Sequence, residues 1–453
     1  MTPFPHQRVG AAFLSSRQNA LLADAPRVGK TGTTVMALDD VLANSILIVT
    51  TASGRPVWNR AFRQWSGFGR SVSVITNDKS DFAADVLIVG WPAMTNGAVR
   101  AKLLARSFDR IVLDESHNAK NFDAKRTQAV YGLPLEDGTV LAKTSALTRQ
   151  DGVWCLTGTP IPNAPNDLYP MLRALAPERL LGDASKDWPD VTKYQDFLHR
   201  YCVVKMKKIS QFNRIPVVIG GRNLEELAAR LDGFFLRRTQ EDVGITQPIF
   251  ETFPLSVSAR DLRDAEGDAD KTAVLEAAQE GNTRALDLHL GPLRRITGCI
   301  VAKAVVEAIA DEFDAGMDRI VLAYWHKDVG EILREGLHKY GVLQIDGSTD
   351  GWMRGEIEQE FLHGGTARVM LAQIVAAGEA VDFSSSCELM FVETSLVPKD
   401  MAQMSMRITN HTQKRQPRVR VAVLQGSIQE AMEEILLRKW TVIREVLNPK
   451  GDK

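Results

Sequence analysis

The chain has 453 residues, a formal net charge of −1 and 25% charged residues. That is too long for one ordinary core, so two or three domains are expected, and the near-neutral balance excludes a surface that is one basic field for nucleic acid while leaving room for a local basic cleft. Cys155, Cys202, Cys299 and Cys387 are scattered without a CxxC pair and read as reduced core thiols, and neither a leader nor a membrane-spanning run is present, so a cytoplasmic protein is expected, nuclear only in a eukaryotic host.

From the start to about residue 160, short apolar runs rich in β-branched residues alternate with helix-sized intervals. The predicted strands are 20–24, 45–50, 86–90, 110–115 and 153–158. Continuous apolar runs of this length argue for a parallel sheet covered on both faces. After the first strand comes Asp24-Ala25-Pro26-Arg27-Val28-Gly29-Lys30-Thr31-Gly32, and a helix is predicted beyond Thr31. A glycine-lysine-threonine run in that position suits a phosphate. The glycine lets the backbone close round the anion, the lysine reaches the β/γ-phosphates, the threonine hydroxyl holds magnesium, and the helix aims its first amides at the same charge. The strict pattern has glycine six positions before the lysine, where this chain has Asp24. Taken alone, the tripeptide fits an ordinary strand, turn and helix equally well.

The strand at 110–115 ends in Asp114-Glu115-Ser116-His117. Two acids at the carboxyl end of a buried strand point into the crevice where such sheets bind ligands. In a nucleotide site the aspartate would hold Mg²⁺ through water and the glutamate would polarise the attacking water; a pair of helix-capping carboxylates is the plainer alternative.

Residues 165–250 are less sheet-like and read as a helical protrusion. Their basic knot Lys205-Met206-Lys207-Lys208 reads as a solvated loop. An acidic, helix-spaced stretch at 258–290 reads as a connector. From about 300 a second α/β pattern begins, with predicted strands at 319–325, 342–346, 367–374, 387–393 and 418–425 and no second phosphate loop. The expected architecture is α/β, two tandem parallel-sheet lobes with helical insertions between them: lobe one over 1–250, a helical connector over 251–300 and lobe two over 301–453. A last amphipathic helix, Gln429 to Val446, is expected to pack on lobe two.

Several of these runs together resemble superfamily 2 helicases, whose lobes are RecA-like. Gly29-Lys30-Thr31 resembles motif I and Asp114-Glu115-Ser116-His117, with Lys120-Asn121, motif II. Leu156-Thr157-Gly158-Thr159-Pro160-Ile161-Pro162-Asn163, with Asp167-Leu168-Tyr169, resembles motif III of the Swi/Snf-type branch. Gln7 resembles the family's adenine-reading glutamine, and Trp58 matches its motif Ia region. Arg200-Tyr201-Cys202, Asn223 to Leu227 and Phe235 to Val243 resemble the block closing the first lobe, in the annealing-helicase branch above all. Asp346 to Thr349, Ala376 to Ser385, Glu393, Gln403 and Arg407 fall in register with motifs IV to VI.

The resemblance implies an ATP-dependent translocase on double-stranded or branched DNA, gripping the backbone with little sequence preference and acting as a monomer; with no accessory module read in the sequence, a bacterial or viral role in replication, recombination or repair is expected. It implies ATP and Mg²⁺ as cofactors, Gln7, Gly29, Lys30, Thr31 and Gly32 around the nucleotide, Thr31 and Asp114 on the metal, and Lys30, Asp114, Glu115 and Arg407 as catalytic residues. Three departures stand against it: Arg27 and Ala380 replace glycines of motifs I and V, and Asn410 stands where motif VI has its second arginine. They motivate a rival reading, a catalytically weak two-lobed module that grips DNA or a protein partner.

Overall fold

The computed structural model describes residues 2–134, 140–141, 147–149, 152–158, 164–208, 214–258, 260, 283–377, 381–395, 398–425 and 430. Thr159 to Asn163, most of the acidic stretch, Ala380 and the expected C-terminal helix lie outside the described residues. The chain divides into two compact units, Met1–Thr239 and Gln240–Lys453.

The first unit is built on a seven-stranded parallel sheet. Its strands are β1 (Ala20–Leu22), β2 (Ile46–Thr50), β3 (Val72–Ile75), β4 (Val86–Gly90), β5 (Arg110–Asp114), β8 (Val153–Leu156) and β11 (Phe235–Leu236), in the order β11-β1-β8-β5-β2-β4-β3. Two short strands, β6 (Leu133–Pro134) and β7 (Val140–Leu141), pair with each other outside it. Alternate residues of one strand enter two different cores. Leu47, Val49, Ile111 and Leu113 join one apolar cluster, while Ile46, Ile48, Val112 and Trp154 join another. A strand whose side chains are buried on both faces reads as an unbroken apolar run, which is why β1, β2, β4, β5 and β8 stand out in the sequence.

The segment expected to be a helical protrusion is only partly helical. Helices Tyr169–Leu175, Tyr194–Tyr201 and Leu224–Arg230 flank an antiparallel ribbon of β9 (Cys202–Lys208) and β10 (Arg214–Gly221). The basic knot therefore lies on a strand, not in a loop. Val203 and Val204 before the lysines, and Val217 and Val218 on the facing strand, favour extended backbone over helix. At the ribbon's base the resemblance block closes on itself, for Glu226 accepts from Arg200 (2.5 Å), the Tyr201 hydroxyl (2.6 Å) and Arg230 Nε (3.1 Å).

The second unit carries a six-stranded parallel sheet of β12 (Ile249–Leu255), β13 (Ile320–Tyr324), β14 (Val342–Ile345), β15 (Val369–Gln373), β16 (Glu388–Phe391) and β17 (Arg418–Leu424), in the order β12-β17-β16-β13-β15-β14. The lobe boundary expected at 250 is thus displaced. The division falls after Thr239, and residues 251–255, read as the start of a connector, form a strand paired along its whole length with β17. Edge strands meet one neighbour only, so β12 is made of exposed and half-buried residues with Leu255 alone buried, and lacks the apolar run of a central strand. The helix Thr283–Asp314 then leads into β13.

Among the four cysteines, Cys155, Cys202 and Cys387 are buried and Cys299 is half-buried, all as free thiols. Burial pushes the Cys155 thiol up to about 12, which keeps it protonated and unreactive. No described helix is long and apolar enough to cross a membrane.

Candidate functional site

Three strand ends meet in register. Leu22 of β1 pairs with Leu156 of β8, and Leu156 pairs with Asp114 of β5. The chain leaves the carboxyl edge of adjacent strands at all three points, so the phosphate loop, the acidic pair and Thr157 start side by side. Such an edge is where open parallel sheets bind ligands.

The loop runs from Ala23 into α2 (Lys30–Asp40). Gly29 caps α2 with φ +97°, a left-handed conformation that favours glycine, and a Cβ there would push the tip of the Gln7 side chain, 2.4 Å away, aside. Lys30 opens the helix and folds its ammonium over the loop, donating to the carbonyls of Asp24 (2.7 Å) and Ala25 (3.3 Å). Thr31, half-buried, sits beside it in the first turn, where the amides lack intrahelical partners. Gly32 faces inward: an added Cβ would meet the Trp65 indole at 2.7 Å, so this glycine serves the packing of α2 against α3 (Gly54–Trp65).

Gln7, on α1 (Pro5–Ser15), is buried with its carboxamide bridging two elements. Oε1 accepts from the Phe4 amide (2.9 Å), and Nε2 donates to the Gly29 carbonyl (3.4 Å). His6 Nε2 also bonds the loop, at the Val28 carbonyl (2.9 Å). The start of α1 therefore fixes the phosphate loop from one side.

Asp24 and Arg27 account for two departures from the motif. Asp24 is fully buried and takes a bidentate ion pair from Arg238, with Nε to Oδ1 at 3.0 Å and Nη2 to Oδ2 at 2.5 Å. Arg238 also bonds the His6 carbonyl, and its own carbonyl accepts from the Ala25 amide at 2.8 Å. Arg27 keeps the left-handed conformation a glycine would take there, with φ +72°. A side chain in that region costs about 1 kcal/mol.

Asp114 is held more firmly than the sequence suggests. Its Oδ2 accepts from the Thr50 hydroxyl (2.7 Å) and the Trp58 indole Nε1 (2.8 Å), and its Oδ1 from the Glu115 amide (3.0 Å). Burial and the neighbouring Glu115 carboxylate push the Asp114 carboxyl up, against the Trp58 and Thr50 bonds and the Lys30 charge, which favour the ionised form. Trp58 is completely buried, so its indole is a fixed donor. Sequence reading placed Trp58 near motif Ia but missed this contact, and missed Thr50 altogether. The available signal was a tryptophan and a threonine in and just after a strand that pairs with β5.

Glu115 adopts φ +50°, a left-handed backbone unusual for a side-chain residue. Its carboxylate reaches His117 Nδ1 at 3.2 Å, and the same nitrogen lies 3.0 Å from the Thr157 hydroxyl. His117 thus links the ends of β5 and β8.

Arg407 and Asn410 belong to the second unit. Arg407 is buried, with Nη1 donating to the Val381 carbonyl (3.4 Å). Asn410 Nδ2 donates to Asp382 Oδ2 (3.3 Å) and Ser384 Oγ (3.2 Å). In the basic stretch Gln413 to Arg420, three arginines sit in internal ion pairs: Arg418 with Glu251 (2.7 Å), Arg420 with Glu312, and Arg415 with Asp318 (3.7 Å). Trp325 and His326 follow β13, and both their amides donate to the buried Glu393 carboxylate (2.7 and 2.8 Å).

A parallel sheet with a glycine-lysine-threonine loop between strand and helix, and an acidic pair two strands away, has the layout of the phosphate-loop class of α/β proteins. Within that class the chain belongs to the SNF2-related domain family, whose profile matches residues 6–253. Among curated relatives it is 25% identical to the SWI/SNF-related matrix-associated actin-dependent regulator of chromatin subfamily A-like protein 1 of Xenopus tropicalis, over 99% of this chain and 44% of that one. It is 24% identical to the human DNA annealing helicase and endonuclease ZRANB3, over 99% of this chain and 41% of that one. The chain thus spans less than half the length of these two relatives. A solved structure, the Sulfolobus solfataricus SWI2/SNF2 ATPase core in complex with dsDNA, matches with a TM-score of 0.44 at 18% identity, over 99% of this chain and 94% of that one.

Proposed function

We propose that this chain is a motor that hydrolyses ATP and uses the energy to move along double-stranded or branched DNA. The observation that carries the reading is the aligned edge of β1, β8 and β5, which brings Lys30, Asp114, Glu115 and Thr157 to one place. The DNA annealing helicase among its relatives supports DNA as the track.

In this reading Lys30 and the first amides of α2 take the β- and γ-phosphates, and the ammonium exchanges the loop carbonyls for them. Thr31 and Asp114 offer the hard oxygens that suit Mg²⁺, an ion usually held by one or two protein oxygens together with substrate phosphates. When bound, the ion neutralises charge on the transferring phosphoryl group. Glu115 accepts the proton of the attacking water, with His117 and Thr157 orienting its carboxylate. Arg407 is the proposed lobe-two arginine for the charge that develops on the γ-phosphoryl group. Bound DNA would be gripped through its phosphates, by a cytoplasmic protein acting as a monomer.

The test is ATP turnover titrated against single-stranded, duplex and forked DNA. Stimulation by duplex or forked DNA is expected, and a wild-type rate no higher than that of Lys30→Ala under every condition would remove the enzyme reading. Trp58→Phe keeps a buried ring but deletes one donor to a charged group, a bond of about 1.5–3 kcal/mol. The Mg²⁺ concentration for half-maximal turnover should rise about tenfold or more, and an unchanged requirement would show that the indole does not position Asp114.

The rival, a catalytically weak binding module, is favoured by Asn410, whose amide is committed to Asp382 and Ser384. Asn410→Arg decides between them. A gain of about 10³-fold in turnover, the lower range for a supplied arginine finger, would show a competent site that the native residue holds down. No gain on top of robust native turnover would show that Asn410 is not limiting.

A further inference from the structure

The ribbon β9–β10 has no place in the nucleotide site, and its make-up is unlike the rest of the chain. From Cys202 to Arg222 there are five basic residues, Lys205, Lys207, Lys208, Arg214 and Arg222, and no acidic residue, in a chain whose net charge is −1. The two strands form a sheet of their own, outside the seven-stranded sheet.

Val203, Val204 and Met206 are 39%, 39% and 54% exposed, and Lys205 between them is exposed too. Successive residues of a strand point to opposite faces, so neither face of β9 is covered by the lobe along this stretch. The register sets Lys208 directly opposite Arg214. A free two-stranded ribbon is marginal to begin with.

The base of the ribbon is fixed, while Val203 to Met206 above it are exposed. The Arg222 amide donates to the Tyr201 carbonyl (2.9 Å), Asn223 Nδ2 donates to the Arg200 carbonyl (2.8 Å), and Gly221 lies so close to Pro165 that a Cβ would come within 3.0 Å. With seven and eight residues in its strands the ribbon extends roughly 20 Å at about 3.3 Å per residue, and a two-stranded ribbon is of a size to enter the major groove of duplex DNA.

We propose that β9–β10 is a DNA-backbone contact of the first unit, in which Lys205, Lys207, Lys208 and Arg214 pair with phosphates of a duplex and displace its counterions. The inference rests on the DNA-motor reading and adds the element that holds the track. Lysines on exposed strands also guard against edge-to-edge aggregation, and that role makes a different prediction.

The experiment is fluorescence anisotropy of a labelled duplex against salt, with the full chain. Neutralising the four residues together (Lys205→Gln, Lys207→Gln, Lys208→Gln, Arg214→Gln) should flatten the log–log salt slope by roughly 2 to 4, since each lost phosphate contact removes about 0.9. Affinity near 0.1 M salt should fall at least about tenfold, with DNA-independent ATP turnover unchanged. The lone substitution Lys205→Gln, the safer fold, should flatten the slope by about 1, and the triple lysine-to-arginine variant should keep it. If wild type binds and both glutamine variants bind with its slope, the ribbon only guards its edges, the inference is overturned and the motor reading stands. If wild type neither binds duplex nor responds to it in turnover, the motor reading falls and takes this inference with it.

Discussion

Glu115→Gln is expected to reduce ATP turnover by at least about 10²-fold while leaving nucleotide binding in place, the scale set by loss of a positioned general base. Shape is nearly conserved in the substitution, so the left-handed backbone at Glu115 and the carbonyl bond to the Asn118 amide (2.9 Å) need not change. What is lost is a carboxylate 3.2 Å from His117 that can accept a proton from water. Single-turnover hydrolysis, measured beside binding of a fluorescent nucleotide, separates the two effects. Lys30→Ala should instead weaken binding, because its ammonium is the cation that Asp24 and Ala25 hold over the loop. Turnover of Glu115→Gln within threefold of wild type would mean that another group activates the water, or that the site does not hydrolyse ATP.

The second large effect is on stability. Asp24→Ala is expected to destabilise the first unit by about 3–5 kcal/mol, the range for breaking a buried ion pair from one side. Asp24 is fully buried and the Arg238 side chain is 12% exposed, so removing the carboxylate strands a guanidinium with little water to take its place. The double replacement Asp24→Leu with Arg238→Met should recover much of the loss, since a pair replaced by apolar groups leaves no orphan charge. Chemical denaturation followed by tryptophan fluorescence reports the change, with the first unit's transition read separately because two units need not unfold together. A loss below about 1 kcal/mol, the level of an exposed pair, would show that water reaches Arg238.

These two residues show how far the sequence could be read. Glu115 was legible because an acidic pair ends an apolar strand, a local pattern. Asp24 looked like a flaw in the phosphate loop, since its partner Arg238 stands 214 positions away and no local pattern connects them. The same holds for Asp114. Its place at a strand end is local, but the Thr50 and Trp58 donors come from a neighbouring strand and the helix after it.

Every strand predicted from an apolar run is present, with ends shifted by a residue or two, in both units. The strands missed were β3, β11, β12, the short pair β6 and β7, and the β9–β10 ribbon. Edge strands and free ribbons have an uncovered side, so their sequences mix polar with apolar residues and lose the unbroken run that marks a central strand.

By itself the sequence determined the two-sheet α/β class, the glycine-lysine-threonine loop between strand and helix, and the acidic pair. Each depends on residues close together in the chain, where backbone sterics and burial on both faces leave one pattern. Only the tertiary structure decided that Asp24 is an ion-pair partner, that Trp58 and Thr50 clamp Asp114, that the first unit ends at Thr239 and that the basic knot is a strand. Those depend on which elements become neighbours, and strand order and register are settled by packing across the whole sheet, beyond the reach of any one segment.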